Sequence, residues 1–306
     1  MKFYFLTGIP RAGHTLFGSI MNQNPDIKVT ANSTVMDIVR NVDKARYTDT
    51  FENFQDHKSL DNVIENIYPN YYKDWNCKYI IDRNYLGLNL NEASNGIELL
   101  KKAIKNEIKI IVLLRDILPV LQSIIKNARE NPFIPAFGSP KDLHNTGYAL
   151  PKDCSDESIC ATLASKNGLI HKSFMNVRLL FNSIFKDNLH FIYYNDLVED
   201  PQATIDGVYK FLDIPVFEHR FENLSQYEAN GIVYDDTNTE FGVGFHKIKE
   251  DKISFTEHKP LPKSIVEKYG NLNLLKGLIN EDKRQRLELV RQVAKGIDAT
   301  RTHNIL

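Results

Sequence analysis

Four continuous apolar runs punctuate the chain: Phe3–Leu6, Tyr79–Ile81, Ile108–Leu114 and Leu189–Tyr194. Their apolar residues follow one another instead of alternating, which is the pattern of strands buried on both faces of a parallel sheet. Between the runs the period becomes helical. Glu92–Lys105 carries Leu99, Leu100, Ala103 and Ile104 on one side, and Leu118–Ala128 carries Leu118, Leu121, Ile124, Ile125 and Ala128. Asp200-Pro201, followed by Ile205, Val208, Tyr209 and Leu212, predicts a helix with Asp as N-cap and Pro in the first turn. Strands alternating with helices predict an α/β chain in three layers, with a central parallel sheet of about four or five strands flanked by helices.

Two stretches escape this pattern. Asn131–Asp153 holds Pro132, Pro135, Gly138, Pro140, Gly147 and Pro151 and reads as a long surface loop, a frequent location for a functional lid. Gly231–Pro262 is also loop-like, with Gly242 and Gly244. Glu281–Ala299 is a charged amphipathic helix (Leu287, Val290, Val293, Ile297) within a C-terminal helical segment near 262–306. No internal repeat, low-complexity tract or linker interrupts the sequence. It therefore reads as one domain over 1–306, with substrate-facing insertions near 30–75 and 131–153.

Composition narrows the function. The 38 basic residues nearly cancel the 39 acidic ones, for a net charge of −1, which excludes a bulk nucleic-acid or anionic-membrane surface but not a local basic pocket. The three cysteines, Cys77, Cys154 and Cys160, are odd in number and form no C-x-x-C pair, so neither a disulfide framework nor a zinc site is expected. A reducing cytoplasm is the simplest compartment. The first apolar run is too short for a signal-peptide core, and Ile108–Leu114, interrupted by Lys109, falls far below membrane-spanning length.

The chemistry concentrates where the first run ends. Gly8-x-x-x-x-Gly13-His14-Thr15 nearly matches the P-loop pattern, with His14 in place of the lysine and Arg11 inside the loop as the alternative cation. A strand feeding a glycine-bounded loop at a helix start presents free N–H groups and a dipole to an anion. The backbone of Ala12 to Leu16, the Thr15 hydroxyl and the Arg11 guanidinium are the expected contacts. The plain alternative is a tight strand–helix turn that binds nothing. Arg115, directly after the third run, sits at a strand's carboxyl end, where open α/β sheets hold ligands, and Ser123 follows eight residues later. Taken alone, Arg115 would simply pair with Asp116 or another acid. Tyr193-Tyr194-Asn195-Asp196-Leu197 closes the fourth run, and its rings either pack at the strand end or stack on a purine.

In order and spacing these segments resemble the sulfotransferases that use 3′-phosphoadenosine 5′-phosphosulfate (PAPS), in the bacterial and viral branch that carries Arg in the first loop. Pro10-Arg11-Ala12-Gly13-His14-Thr15 stands where that family reads P-[KR]-[ST]-G-[ST]-T and holds the 5′-phosphosulfate. Arg115 and Ser123 match its 3′-phosphate pair. Tyr194-Asn195-Asp196-Leu197 resembles its Y-E-D-L, whose tyrosine lies near the adenine, and Phe211-Leu212-Asp213-Ile214-Pro215 resembles its F-L-G-[IL]-P. Gly244-Phe245-His246-Lys247-Ile248-Lys249 stands near its late basic loop, which implies that His246 and Lys247 contact the 3′-phosphate. The resemblance covers residues 3 to roughly 250 and implies a P-loop-like fold, PAPS as co-substrate, PAP as product and no metal.

The sequence departs from the family at three points. Ala12 lacks the usual hydroxyl, and His14 replaces a Ser or Thr, so it either donates to the 5′-phosphate or only shapes the loop. The glutamate that Golgi-type relatives carry after the first helix is missing; the stretch reads Val29-Thr30-Ala31-Asn32-Ser33. Asp82, ending the second run, is the first candidate for general base, its plain alternative being a salt bridge or hydrogen bond to the neighbouring loop. Arg83 stands where many relatives have a lysine facing the sulfate. Arg11 is assigned to the charge developing on the departing phosphate.

Two other readings stay open at this point. One is a P-loop kinase or NTPase with Asp82 on Mg²⁺; the other is a nonenzymatic nucleotide-binding relative. The acceptor, a small molecule, sugar or peptide, would meet Tyr47, Phe51, Phe54, His57, Tyr68, Tyr71, Tyr72 and Trp75, an aromatic density that suits a sugar or an aromatic ring and equally suits ordinary packing. Neither a nucleic-acid partner nor a membrane span is expected.

Overall fold

The computed structural model describes residues 1–83, 92–130, 155–166, 168–234, 248, 253–256 and 258–270. Five parallel strands form its centre: β1 (Lys2–Gly8), β2 (Ile27–Val29), β3 (Tyr79–Arg83), β4 (Ile110–Leu114) and β5 (Leu189–Tyr193). Their order is β2-β3-β1-β4-β5. Phe5 pairs with both Asp82 and Ile110, so β1 is central. The expected α/β parallel sheet is present.

The helices follow from the intervening sequence. They are α1 (His14–Met21), α2 (Val35–Asp43), α3 (Asp49–Asn53), α4 (His57–Tyr71), α5 (Glu92–Ala103) and α6 (Ile117–Glu130), then α7 (Asp156–Ala164), α8 (Leu169–Phe181), α9 (Tyr194–Glu199), α10 (Pro201–Leu212) and α11 (Lys263–Tyr269). A hairpin of β6 (Glu228–Ala229) and β7 (Ile232–Val233) lies between α10 and α11. The predicted cap of α10 is present: the Asp200 carboxylate accepts from the Ala203 N–H at 3.1 Å, and Pro201 opens the helix.

Alternate residues of β1 face opposite layers. Phe3 and Phe5 place their rings against Tyr68 of α4, whereas the Tyr4 hydroxyl donates to the Leu212 carbonyl that ends α10. The buried apolar side chains form one cluster, with Phe5, Leu6, Ile81 and the whole of β4 fully enclosed. Both faces of the sheet are therefore covered, as its continuous apolar runs require.

Topology fixes where a ligand belongs. The connection after β1 runs outward toward β2, while that after β4 runs the other way to β5. Adjacent strands whose connections diverge leave a crevice at their carboxyl ends, and that crevice opens between β1 and β4.

The structure also adjusts several boundaries. The strand of the fourth run, β5, ends at Tyr193, and Tyr194 begins α9. That of the third run, β4, starts at Ile110, and α5 ends at Ala103, before Lys105. Residues 35–71, expected as an insertion, form α2 to α4, and α4 packs against α2 and α5. The stretch 231–262 is not wholly a loop, since it contributes β7. The expected lid at 131–153 and helix Glu281–Ala299 lie outside the described residues, as does Cys154; of the segment 262–306 only α11 is described.

Candidate active site

The loop between β1 and α1 turns through two left-handed residues, Arg11 at φ 64° and Gly13 at φ 89°. At Gly13 the reason is visible, because a Cβ there would lie 2.9 Å from the Tyr194 ring. Arg11 is not glycine, so the loop holds it in a conformation that is unfavourable for an L side chain, a feature that recurs at ligand clamps. Pro10 and Thr15 are half-buried, and His14 is buried. Gly13 occupies the N-cap position of α1, leaving the first helical N–H groups, His14 to Leu16, without intrahelical acceptors. Ala12 departs from expectation: its N–H closes the turn onto the Ile9 carbonyl at 3.2 Å and is spent there. The Leu16 side chain packs against the core, so this residue offers the loop its N–H alone.

Three distant segments meet at this loop. The Arg11 Nε donates to the Ser123 Oγ at 2.9 Å, and an Arg115 Nη donates to the Arg11 carbonyl at 2.8 Å. The Arg115 guanidinium lies 4.0 Å from the centre of the Tyr194 ring, which in turn packs on Gly13. Tyr194 also meets Phe255 edge-on. One face of Tyr194 is thus covered by Arg115, so its ring first of all holds that cation in place. Burial pulls the Arg115 guanidinium below its ordinary value, with Asp116 acting against this; a cation enclosed in this way is stabilised by an arriving anion. The two expected anion sites are one connected cluster. His246 and Lys247 lie outside the described residues.

A second cluster sits at the ends of β2 and β3. Asp82 is 0% exposed and its carboxylate accepts three hydroxyls: Tyr72 at 2.6 Å, Tyr68 at 2.9 Å and Thr30 at 3.1 Å. Burial first, and then the Asp82 charge, push both tyrosines well above their ordinary pKa. Arg83 points away from this group. Arg83 is 7% exposed, and among the described residues its Nη1 has no hydrogen-bond partner. A buried guanidinium nitrogen left unsatisfied is costly unless an anion arrives to meet it. Tyr227 stands close enough to feel the Arg83 charge, and fits there because Gly18 of α1 has no side chain: a Cβ would lie 2.5 Å from its ring.

The aromatic residues of 30–75 divide. Tyr71, Tyr72 and Trp75 line a cavity beside the turn 30–33, joined by Tyr227 and Tyr234. Tyr68 is buried on Asp82, while Tyr47 and Phe54 face outward and Phe51 packs edge-on against His57. Thr30 and Ser33 fall within the expected substrate-facing stretch 30–75 without having been singled out, while Tyr227 and Tyr234 carry no motif and were not expected here. The only other signal in the sequence is that Thr30 and Ser33 follow directly on the three-residue β2.

The computed fold resembles the sulfotransferase domain of the curacin biosynthetic pathway (15% identity, TM-score 0.47, 88% of this chain and 90% of that one). It also resembles the sulfotransferase domain of the Synechococcus PCC 7002 olefin synthase (13%, 0.46, 89% and 94%) and mouse sulfotransferase SULT7A1 complexed with PAP (16%, 0.43, 71% and 60%). No curated protein sequence matches the chain. Among the described residues no helix is long and apolar enough to cross a membrane. The family model of the sulfotransferase domain matches residues 3–271, which sets the kinase reading aside: the chain belongs to the sulfotransferase family and is an enzyme of sulfuryl transfer.

Proposed function

We propose that the enzyme takes its sulfuryl group from PAPS and passes it to a hydroxyl or amine of a small molecule, sugar or peptide. One observation carries this reading: Arg11, Ser123, Arg115 and Tyr194 converge at the β1/β4 crevice as a single hydrogen-bonded cationic cluster. Two arginines joined through the Arg11 carbonyl, with Ser123 held by Arg11, suit a ligand with two separate phosphate groups, as the bisphosphorylated adenosine has.

Each residue then has a physical task. The His14 to Leu16 N–H groups, the Thr15 hydroxyl and the dipole of α1 hold the 5′-phosphate. Arg11 stabilises the charge that grows there as the sulfuryl group departs, and His14 shapes the loop around it. Arg115 and Ser123 hold the 3′-phosphate, with His246 and Lys247 assigned to the same group. Tyr194 steadies Arg115 beside the adenine. Arg83, whose unsatisfied Nη1 lies one strand over from the loop, faces the transferring sulfuryl oxygens. These cations neutralise the leaving phosphate, and the reading calls for no metal. It takes 1–306 as one domain in a reducing cytoplasm, where Cys77 and Cys160 stay free thiols.

Calorimetric titration tests this. The expected result is metal-independent binding of 3′,5′-bisphosphoadenosine, with ATP weak with or without Mg²⁺. Tight Mg²⁺-dependent ATP binding without bisphosphoadenosine binding would overturn it.

A further inference from the structure

The turn 30–33, the end of α4 and the β6–β7 hairpin enclose about 200 Å³. The main walls are the rings of Tyr71, Tyr72, Trp75, Tyr227 and Tyr234. Among the described residues no Lys, Arg, Asp or Glu lines it. Among the described residues its one buried polar side-chain atom without a partner is the Tyr227 hydroxyl, and the others are engaged with one another or with Asp82. Asn32 donates to the Tyr234 hydroxyl at 3.1 Å, Ser33 Oγ lies 3.2 Å from Tyr72 Oη, and Thr30 donates to Asp82. A polyhydroxylated sugar needs many polar partners, and an ionic acceptor needs a counter-charge; these walls supply neither. A dry apolar cavity of about 150 Å³ takes benzene, so this volume suits one substituted ring.

On one side of the cavity Ser33 and Tyr72 lead to the enclosed Asp82. The cavity also lies at the right remove from the phosphate loop. The turn 30–33 follows β2 and the loop follows β1, with β3 between, a separation of about 10 Å at the usual strand spacing. Arg83 ends that middle strand.

We propose that this cavity is the acceptor site, that it takes an uncharged one-ring alcohol or phenol, and that Tyr72 relays the acceptor's proton to Asp82. The proposal rests on the PAPS reading above. In the step, a lone pair of the acceptor oxygen forms the new O–S bond. The S–O bond to the 5′-phosphate breaks, and that phosphate leaves with the bonding pair. The acceptor proton moves to Tyr72 Oη as the proton of Tyr72 moves to Asp82 Oδ1, 2.6 Å away. Tyr72 cannot end as the base itself, because burial and the Asp82 charge keep it protonated. Described groups around Asp82 include Tyr68 from α4, Thr30 after β2, Arg83 beside it and Tyr227 beyond; Arg40 of α2 acts on Tyr68.

The test uses the full chain, labelled PAPS and five acceptors: 4-methylphenol, benzyl alcohol, methyl glucoside, 4-hydroxybenzoate and benzylamine. The first two are expected to exceed the rest at least 100-fold in kcat/KM. Preference for the sugar, the anion or the amine overturns the proposed acceptor class. Tyr72→Phe is expected to lower kcat by roughly 10²–10⁴-fold, flatten the acid limb of its pH profile and leave bisphosphoadenosine affinity within twofold. Tyr68→Phe removes another hydroxyl from the same carboxylate and is expected to lose less than tenfold. Retention of kcat within threefold in Tyr72→Phe, or equal losses in the two variants, overturns the relay. If the wild type fails to bind bisphosphoadenosine, the donor reading falls. If it binds but turns over neither ring hydroxyl, the acceptor proposal alone falls. The acceptor series needs no variant, so it decides the acceptor class even where Tyr72→Phe does not fold.

Discussion

Arg11 is the residue at which chemistry and backbone strain can be separated by experiment. Replacing it with Ala or with Gly removes the same guanidinium and the same hydrogen bond to Ser123, so both variants lose the charge facing the departing phosphate. An arginine in that role is worth about 10³-fold or more in rate, roughly 4 kcal/mol. Transfer in both variants is therefore expected to fall at least 10³-fold, measured as labelled sulfate moved per enzyme. Their stabilities are expected to differ. At φ 64° a residue with a Cβ bears about 1–2 kcal/mol of left-handed strain, which Ala keeps and Gly relieves. The looser unfolded chain of Gly takes back about 0.4–1 kcal/mol. The balance is about 0–1.6 kcal/mol in favour of Arg11→Gly, or a melting point higher by up to about 5 °C than that of Arg11→Ala. Turnover of Arg11→Ala within tenfold of wild type would refute the catalytic assignment. A Gly variant that melts below the Ala variant would refute the claim of strain.

Two further results are expected. Tyr194→Ala, which strips the ring from beneath Arg115, should weaken bisphosphoadenosine binding by about 5–30-fold in calorimetry, while Tyr194→Phe keeps the ring and stays within about twofold. His219, buried with its Nε2 at 2.9 Å from the Tyr209 hydroxyl, has its pKa pulled below 6.5, chiefly by burial. The unfolded chain then takes up the proton more readily, so this contribution is complete above pH 6.5 and is lost as pH falls from 6.5 toward the depressed value. Thermal melts at pH 7.5 and 5.5 should show a larger drop in wild type than in His219→Asn, and equal drops would contradict the assignment.

The sequence made the sheet and the donor loop readable for specific reasons. Phe3–Leu6 and Ile110–Leu114 are buried on both faces, and such strands announce themselves as unbroken apolar runs. Strand β2 is only Ile27-Lys28-Val29, and a lysine in the middle of three residues leaves no period to detect. Helix α4 was obscured because Pro69 and its tyrosines look like loop and ligand-facing residues, although Tyr68 is held by Phe3, Phe5 and Asp82. The donor site was legible as separate pieces, Arg11 in one loop and Arg115 with Ser123 after another strand. The bond that unites them spans 112 residues and becomes visible only once β1 and β4 are neighbours. Asp82 was found by its place at a strand end, but the hydroxyls of Tyr68, Tyr72 and Thr30 that meet it come from α4, from the residue just past its end and from the residue after β2, which no local pattern connects.

The contact between Gly18 and Tyr227 reaches beyond either residue. Helix α1 carries the donor loop at its start and, four residues after His14, gives up its side-chain space to a ring that also lines the cavity. Tyr227 thus stands between α1 and the cavity. In the descent of this chain, positions 18 and 227 are therefore not free to drift independently. A larger residue at 18 is tolerable only with a smaller one at 227, and that exchange reshapes the cavity at the same time. Any reshaping of the cavity at Tyr227 is thus tied to the helix that follows the β1–α1 loop.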